Sequence, residues 1–386
     1  MSKSTGASDI VNGLEIRPET RRIVEELKRD AIRRSGFDDF GPSDFEDPLA
    51  MIVEEGAHKP GGDLWKEEVT LALIGRLVRE ASWKANPGYK DRKIVAPLII
   101  CGIPRTGTTA LHKVLSMDPQ FQGLDHWLAS WPKPRPPREQ WPNEAGFKNA
   151  VEVLKKRFAD QPIMEMAHHV AADEVDECLE VLRLDLVSNR FPSMTALPRF
   201  DAWYQRQDET PYYLRLADTL RLIGINDDRP WLLKNPGHFG HIKELLTAFP
   251  DARVVITHRD PAKSLASLCS ILTEGHRALD PDEPLEMMGR REFEWWAVSK
   301  EKTEAERLKH PAEQFFDVDH LEFHRDPIGI VRRIYDHFGL KLASGVESAM
   351  REWLAANPSD KRGTHRYSLE GYGLTAEMVR ERYGTA

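Results

Sequence analysis

An apolar run that passes directly into a glycine-containing, hydroxyl-rich turn constrains this 386-residue chain more than any other feature. Residues 94–101, IVAPLIIC, are almost wholly apolar, as expected of a strand that is buried on both faces of a sheet. Residues 102–111, GIPRTGTTAL, follow at once and predict a tight turn and the start of a helix. In such a unit backbone N–H groups converge on an anion, and the helix dipole assists them. The unit therefore predicts an α/β protein with a phosphate-binding loop.

The turn has the glycine spacing of the P-loop of nucleotide triphosphatases, but it lacks the lysine of that motif. Gly102 and Gly107 fit the pattern G-x-x-x-x-G-K-[ST], and Thr109 fits its last position. Thr108 stands where the lysine belongs, and the cation of this loop is Arg105 instead. The loop therefore predicts anion binding without the lysine that contacts the terminal phosphates of ATP.

The end of the strand pattern at residues 253–257 also differs from that of a P-loop kinase. Such a kinase holds a magnesium ion with an acidic residue that ends a second strand. Here Thr257 is followed by His258 and Arg259, so this strand end is basic. Asp260 comes one residue later and is the nearest acidic alternative. The sequence therefore disfavours a metal-dependent kinase.

Other short apolar runs alternate with helical patterns along the chain. Such alternation indicates βαβ units, whose strands run parallel. The sequence therefore predicts an α/β fold, a P-loop-like three-layer sandwich with a central parallel sheet. Besides the first run, the candidate strands are 231–234, 253–257 and 314–318, and the candidate helices are 240–249, 262–273 and 328–338.

Two regions lie outside this alternating pattern. Residues 19–34 and 63–84 have the apolar spacing of amphipathic helices, and no strand pattern precedes the first apolar run. We therefore expect a helical extension over residues 1–92 and the main domain over residues 93–386. Residues 127–213 are helical and loop-like and include the proline-rich stretch WPKPRPPREQWP, so they are predicted to form a helical insertion over the sheet.

Composition and charge exclude several classes of function. The formal net charge is -8, whereas nucleic acids and anionic membranes bind basic surfaces. No apolar run approaches the ~20 residues that span a bilayer, and the N-terminus lacks the apolar segment of a signal peptide. The three cysteines, Cys101, Cys178 and Cys269, form no CxxC pair. We expect a reduced, cytoplasmic protein that binds no nucleic acid and has no integral membrane segment.

Two motifs together resemble the signatures of sulfotransferases that use 3′-phosphoadenosine 5′-phosphosulfate (PAPS), in particular the bacterial branch of that family. Residues 104–109, PRTGTT, resemble the family's 5′-phosphosulfate loop. Arg259 at a strand end and Ser267 eight positions later resemble the pair that holds the 3′-phosphate. An arginine fork and a hydroxyl suit a phosphate monoester. The resemblance implies that Arg105 stabilises charge on the leaving phosphate and that the 5′-phosphosulfate is bound by Arg105, Thr106, Gly107, Thr108 and Thr109.

Two other segments resemble donor-side elements of the same family. Lys234 ends the run WLLK, and the following NPGH is similar to the LK-x-P-x-H segment that lies beside the donor site. Residues 361–368, KRGTHRYS, resemble the basic, glycine-containing loop that closes over the 3′-phosphate. The resemblance implies that the donor is also bound by Lys234, Lys361, Arg362 and Gly363.

Transfer to a hydroxyl needs a base that takes the hydroxyl proton. His168 lies ten positions before Cys178, similar to a bacterial pattern in which a histidine precedes Asp-Glu-Cys. It also lies 63 residues after Arg105, near the spacing of the catalytic histidine in cytosolic sulfotransferases. His126 and Asp125 occupy the region in which other relatives carry a catalytic glutamate within Trp-Glu, which reads Trp-Leu here. His168 is therefore the first candidate for the base, and His126 and Asp125 are the alternatives.

The resemblance implies transfer of a sulfuryl group from PAPS to a hydroxyl of a small-molecule, lipid or carbohydrate acceptor, with release of adenosine 3′,5′-bisphosphate. A sulfuryl group carries less negative charge than a γ-phosphoryl group, so an arginine and backbone donors can replace a metal. His169, Asp173 and Glu177 are spaced by four residues, but no distant motif completes a metal site, and we expect none. The alternatives are a P-loop kinase of a small metabolite and a non-catalytic nucleotide-binding protein of the same fold.

Overall fold

A computed structural model of the chain describes residues 10–160, 170–357 and 368–384. Its centre is a five-stranded parallel sheet in the order β4-β5-β3-β6-β7, and a separate two-stranded hairpin joins β1 and β2. The predicted α/β fold with a central parallel sheet is confirmed. The strands, numbered along the chain, are β1 (Ile10–Val11), β2 (Leu14–Glu15), β3 (Leu98–Gly102), β4 (Gln122–Gly123), β5 (Trp231–Lys234), β6 (Arg253–His258) and β7 (Phe315–Asp319).

Strand β3 lies in the middle of the sheet, between β5 and β6. Its register pairs Ile100 with Lys234 and Gly102 with Thr257. Because the strands are parallel, their carboxyl ends meet at one edge of the sheet, where ligands bind in open α/β folds. The strand begins later than predicted, because Ala96 takes a left-handed conformation with φ 43°.

The helices are numbered α1 to α16 along the described parts of the chain. The N-terminal helices are α1 (Pro18–Ser35), α2 (Glu46–Gly56) and α3 (Gly62–Ala85). The insertion contributes α5 (His126–Ser130), α6 (Ala145–Asp160), α7 (Leu179–Leu182), α8 (Pro198–Tyr204) and α9 (Thr210–Ile223). The others are α4 (Thr108–Leu115), α10 (Ile242–Ala248), α11 (Pro261–Leu279), α12 (Leu285–Arg307), α13 (His320–Arg325), α14 (Pro327–His337), α15 (Ser344–Ala356) and α16 (Ala376–Tyr383).

The N-terminal region matches its predicted helices but not the predicted lack of strands. The helices expected at 19–34 and 63–84 are confirmed as α1 and α3. The expectation that no strand precedes the sheet is wrong, because β1 and β2 pair across a turn at Asn12 (φ 49°) and Gly13 (φ 82°). Strands of two residues are too short to produce an alternating pattern that a sequence can reveal.

Alternate side chains of β3 point to two hydrophobic cores on opposite faces of the sheet. Ile99 belongs to the larger core, together with Trp65 of α3 and Trp127 of α5. Ile100 belongs to the smaller core, together with Ile334 of α14. The N-terminal helices, the insertion, α10 to α12 and α16 therefore cover one face, and α4 and α13 to α15 cover the other, which gives the predicted three layers.

A buried cluster of arginines joins α3 to the insertion. The Asp185 carboxylate lies 2.9 Å from Arg76, 2.9 Å from Arg79 and 2.8 Å from Arg215 of α9. Burial raises the pKa of the Asp185 carboxyl, but the arginines outweigh burial and hold the pKa below its usual value. The extension is thereby fixed to the insertion that lies over the sheet.

Candidate active site

The loop after β3 is shaped by two glycines and one arginine with unusual backbone. Gly102 (φ 145°) has no room for a side chain, because a Cβ atom there would lie 2.5 Å from the carbonyl oxygen of Thr257. Gly107 (φ 99°) and Arg105 (φ 71°) are also left-handed. Such a conformation costs free energy for a residue other than glycine and is common at functional sites.

Thr106 holds this loop against the neighbouring strand. Its Oγ1 atom donates to the carbonyl oxygen of Ile103 at 2.7 Å and lies 2.5 Å from Oγ1 of Thr257. Helix α4 then begins at Thr108, so its first N–H groups point into the loop. The predicted strand, turn and helix start are therefore present, in the arrangement that binds an oxyanion.

Three residues that the sequence singled out for donor binding meet at this loop. Arg105 Nε donates a hydrogen bond to Ser267 Oγ at 3.2 Å. Arg259 Nη1 donates to the carbonyl oxygen of Arg105 at 2.9 Å. Arg259 follows β6, and Ser267 lies on α11, so the turn between these two elements is fastened to the loop after β3.

Lys234, another predicted donor-side residue, reaches the same loop from β5. Its Nζ atom lies 3.4 Å from Thr109 Oγ1 and forms an ion pair with Glu177. The Lys234 side chain is 1% exposed, so it does not extend to solvent. Glu177 was considered from the sequence only as a metal ligand, and its pairing with Lys234 was not predicted.

His320 is a further residue at the loop that the sequence reasoning missed. Its Nδ1 atom lies 3.2 Å from the carbonyl oxygen of Thr106, so Nδ1 carries a proton and donates it. Burial, with Arg259 and His324 nearby, lowers the pKa of His320 to about 4. Its position directly after β7, at the same sheet edge as the other strand ends, was the available signal.

The acidic groups near the end of β6 have partners of their own. Asp317 of β7 lies 2.6 Å from His258 Nε2 and 2.8 Å from Arg307 Nη1. Burial raises the pKa of Asp317, but His258 and Arg307 outweigh burial and leave it well below the usual range. Asp260, the sequence's acidic alternative, accepts a hydrogen bond from Ala262 N–H at 2.9 Å and caps α11.

The two alternative bases lie at the start of α5 and have different partners. His126 Nδ1 lies 2.6 Å from Asp176 Oδ2, and both side chains are buried. Asp125 forms an ion pair with Arg135, with 3.3 Å between Oδ2 and Nε. Burial raises the pKa of Asp125 despite this arginine. Asp176 was not predicted, because its contact with His126 joins residues far apart in the sequence.

Several predicted site residues cannot be placed. His168, Lys361, Arg362 and Gly363 lie outside the described residues, and so does His169. Their assigned roles stay predictions. Within the described ranges, no group of three or more His, Cys, Asp or Glu side chains is arranged to hold a metal ion. In the same ranges no helix is long and apolar enough to cross a bilayer.

The fold and the site define a class of protein. A parallel sheet whose central strand leads into an arginine-bearing anion loop is typical of a nucleotide-binding α/β protein. A model of the sulfotransferase family matches residues 97–344. Because this match covers more than half of the chain, the protein belongs to the sulfotransferase family, and the resemblance found in the sequence is confirmed.

Solved structures and characterised relatives agree with that assignment. The chain is similar to sulfotransferase STF1 of Mycobacterium tuberculosis H37Rv, with 36% identity, a TM-score of 0.84, and coverage of 94% of this chain and 98% of that one. It is similar to sulfotransferase STF9 of Mycobacterium avium, with 26% identity, a TM-score of 0.84, and coverage of 98% and 96%. The omega-hydroxy-beta-dihydromenaquinone-9 sulfotransferase Stf3 of Mycobacterium bovis is 25% identical over 311 residues, which is 75% of each chain. Both solved structures match nearly the whole chain, which is more than residues 93–386 alone could supply. The likeness therefore includes N-terminal helices.

Proposed function

We propose that the protein transfers a sulfuryl group from PAPS to a hydroxyl of an acceptor and releases adenosine 3′,5′-bisphosphate. The observation that supports this most strongly is the meeting of Arg105, Arg259 and Ser267 at the carboxyl end of β3. Two guanidinium groups at one sheet edge suit a donor that carries phosphate at both its 5′ and its 3′ positions. A protein with net charge -8 needs such a local cluster to attract an anionic donor.

Each donor-side residue has a distinct proposed role. The backbone N–H groups of residues 106–109 and the start of α4 hold the 5′-phosphosulfate. Arg259 and Ser267 hold the 3′-phosphate. Lys234, with Nζ 3.4 Å from Thr109 Oγ1, adds positive charge beside the sulfuryl group. On sequence grounds alone, Lys361, Arg362 and Gly363 complete the 3′-phosphate site.

In the proposed reaction the acceptor oxygen forms a bond to sulfur while the bond between sulfur and the bridging phosphate oxygen breaks. The electron pair of the broken bond stays on that phosphate oxygen. Arg105, fixed in the loop by its left-handed backbone, stabilises the negative charge that develops there. Arginine and lysine supply the positive charge, so the proposal includes no metal ion.

The acceptor is a hydroxyl compound of the small-molecule, lipid or carbohydrate classes. Stf3 is named for a menaquinone derivative with an omega-hydroxyl group, and this supports a lipid-like alcohol among these classes. The sequence places His168 first as the base that takes the hydroxyl proton, with His126 and Asp125 as alternatives.

A cytoplasmic location is part of the proposal, and the buried, free thiols of Cys101, Cys178 and Cys269 support a reducing compartment.

Calorimetry with adenosine 3′,5′-bisphosphate, ADP and ATP tests this function. We expect the bisphosphate to bind at least about tenfold more tightly than ADP, because charged hydrogen bonds to the 3′-phosphate contribute roughly 1.5–3 kcal/mol. Equal or tighter binding of ADP would contradict the 3′-phosphate site. Magnesium-dependent binding of ATP, without binding of the bisphosphate, would establish a kinase instead.

A further inference from the structure

A small cavity of about 50 Å³ lies beside His126, between α6 and α7. Part of its wall is apolar and consists of Leu154, Phe158, Val170 and Leu179. Small-molecule sites typically combine apolar walls with a few polar groups. The cavity can therefore hold the hydroxyl-bearing end of an organic ligand, whose remaining part would extend out of it.

The cavity and the anion loop are separated by one ion pair. Glu177 lines the cavity and forms the ion pair with Lys234, whose Nζ atom is 3.4 Å from Thr109 Oγ1. A ligand group that reaches Glu177 from the cavity therefore comes next to the ammonium group that contacts the loop. The Lys234–Glu177 pair therefore connects the wall of the cavity to the anion loop.

His126 is the side chain in this cavity that is suited to accept a proton. Its Nδ1–H donates to the Asp176 carboxylate at 2.6 Å, which fixes the ring, and in a neutral imidazole held in this way Nε2 is the nitrogen that can accept a proton. Among the described residues, none forms a hydrogen bond with Nε2. Both His126 and Asp176 line the cavity.

The charged groups of the cavity wall are balanced by neighbours. Arg157 and Arg190 lie 2.9 Å and 3.4 Å from the Glu68 carboxylate, and Glu180 lies 2.7 Å from Arg183. Burial raises the pKa of Glu68, but the arginines outweigh burial and lower it to about 2, so Glu68 is ionised. Glu177 is paired with Lys234. The charged side chains named here in the described part of the wall therefore already have partners of opposite charge, which disfavours an ionic ligand.

We infer that this cavity is the acceptor site, that it takes an uncharged alcohol with an apolar body, and that His126 rather than His168 removes the hydroxyl proton. The inference rests on the proposed function, because it needs a sulfuryl donor in the anion loop. Asp176 is a positioning residue, since its role in this inference is to hold the His126 ring.

The proposed step is balanced as follows. The hydroxyl oxygen forms the new bond to sulfur, and the hydroxyl proton moves to His126 Nε2. The bond from sulfur to the phosphate oxygen of PAPS breaks, and its electron pair remains on adenosine 3′,5′-bisphosphate. The products are the sulfate monoester, the bisphosphate and a protonated His126, which returns its proton to water.

The test uses the full-length protein with PAPS and two alcohols of equal chain length, n-dodecanol and 12-hydroxydodecanoate, and measures release of the bisphosphate. We expect kcat/KM for dodecanol to exceed that for the carboxylate at least about tenfold, because desolvating a carboxylate without a free counter-charge is costly. For dodecanol, His126→Ala should lower kcat by about 10²–10⁴ fold, the usual contribution of a general base. KM and the affinity for the bisphosphate should change little.

Three further variants separate a chemical role from a structural one. His126→Asn keeps an amide donor for Asp176 but has no nitrogen that accepts a proton, so it should fold, bind the bisphosphate and be as inactive as His126→Ala. His168→Ala should lose at least about tenfold less activity than His126→Ala. His310→Ala, which removes a histidine that pairs with Glu306 away from the cavity, should behave like the wild type.

The outcomes distinguish the inference from the proposed function. Full turnover by His126→Asn, or a larger loss in His168→Ala, would overturn the assignment of the base. Equal or better use of 12-hydroxydodecanoate, or no turnover of either alcohol by a protein that binds the bisphosphate, would overturn the acceptor class and leave the donor site standing. If the wild type does not bind the bisphosphate, the proposed function fails and the inference fails with it.

Discussion

Arg105 Nε donates a 3.2 Å hydrogen bond to Ser267 Oγ, although 162 residues separate the two in the sequence. The carbonyl oxygen of the same arginine accepts a hydrogen bond from Arg259 at 2.9 Å. The loop proposed to hold the 5′ end of the donor is therefore in direct contact with the residues proposed to hold its 3′-phosphate. Variants of these residues, measured for both nucleotide affinity and kcat, can separate effects on binding from effects on chemistry.

Replacing Arg105 should affect turnover more than binding. Arg105→Ala removes a preorganised donor from the phosphate that gains charge, and losing one such donor costs about 10²–10³ fold in kcat. Arg105→Lys keeps the charge but not the planar fork, so it should fall between the alanine variant and the wild type. The measurement is release of the bisphosphate from PAPS at saturating acceptor. Arg33→Ala, on α1 and 75% exposed, is the matched control. Wild-type kcat in Arg105→Ala would remove the arginine from the mechanism.

Two serines on α11 provide a paired test of the 3′-phosphate site. Ser267→Ala should weaken binding of adenosine 3′,5′-bisphosphate about tenfold, because a hydrogen bond to a charged group is lost, and should leave AMP binding nearly unchanged. Ser264 is buried one turn earlier on the same helix, and its hydroxyl has no hydrogen-bond partner among the described residues. Ser264→Ala should therefore bind both ligands like the wild type. Calorimetry with the two nucleotides measures the difference, and equal losses for both would contradict the assignment.

The donor side of the site could be predicted from the sequence because it consists of short motifs attached to strand ends. A strand, a turn and a helix start are adjacent in sequence, so PRTGTT is visible as a unit, and Arg259 and Ser267 lie on the next strand–helix unit. Parallel pairing of β3 with β5 and β6 then brings these units to one edge of the sheet. The fold class followed from the same alternation.

The partner residues could not be predicted in the same way. The contact between His126 and Asp176 joins residues 50 positions apart, and Lys234 meets Glu177 across 57 positions. Both contacts depend on how the insertion packs over the sheet, which leaves no local periodicity. His320 was within reach of sequence reasoning, because it lies two residues after the strand predicted at 314–318 and therefore near the carboxyl edge of the sheet.

The Lys234–Glu177 pair predicts a difference between single and double variants. Lys234→Met leaves the Glu177 carboxylate without its partner, and Glu177→Leu does the same to a fully buried ammonium group. Breaking a buried pair costs about 3–5 kcal/mol of unfolding free energy, whereas replacing both members with apolar residues is close to neutral. The double variant should therefore recover stability in urea denaturation and still lack activity, because it has no cation beside Thr109. A double variant as unstable as either single variant would show that the pair is not a coupled unit.

His320 predicts how stability depends on pH. Its pKa is about 4 in the folded protein, lowered by burial and by the nearby Arg259 and His324, and is about 6.5 in an unfolded chain. Between these pKa values the unfolded state binds more protons at His320 than the folded state does. The contribution of His320 to stability is therefore present above about pH 6.5 and is lost as the pH falls towards 4.

His320→Asn keeps an amide that can donate to the Thr106 carbonyl but does not titrate. The variant should match the wild type at pH 7 and lose less stability between pH 7 and 4.5, as measured by urea denaturation at both pH values. The buried His112 and His238, whose pKa burial lowers to about 3, titrate in both proteins and cancel in the comparison. Identical pH dependence in the two proteins would mean that His320 is not held neutral against the loop.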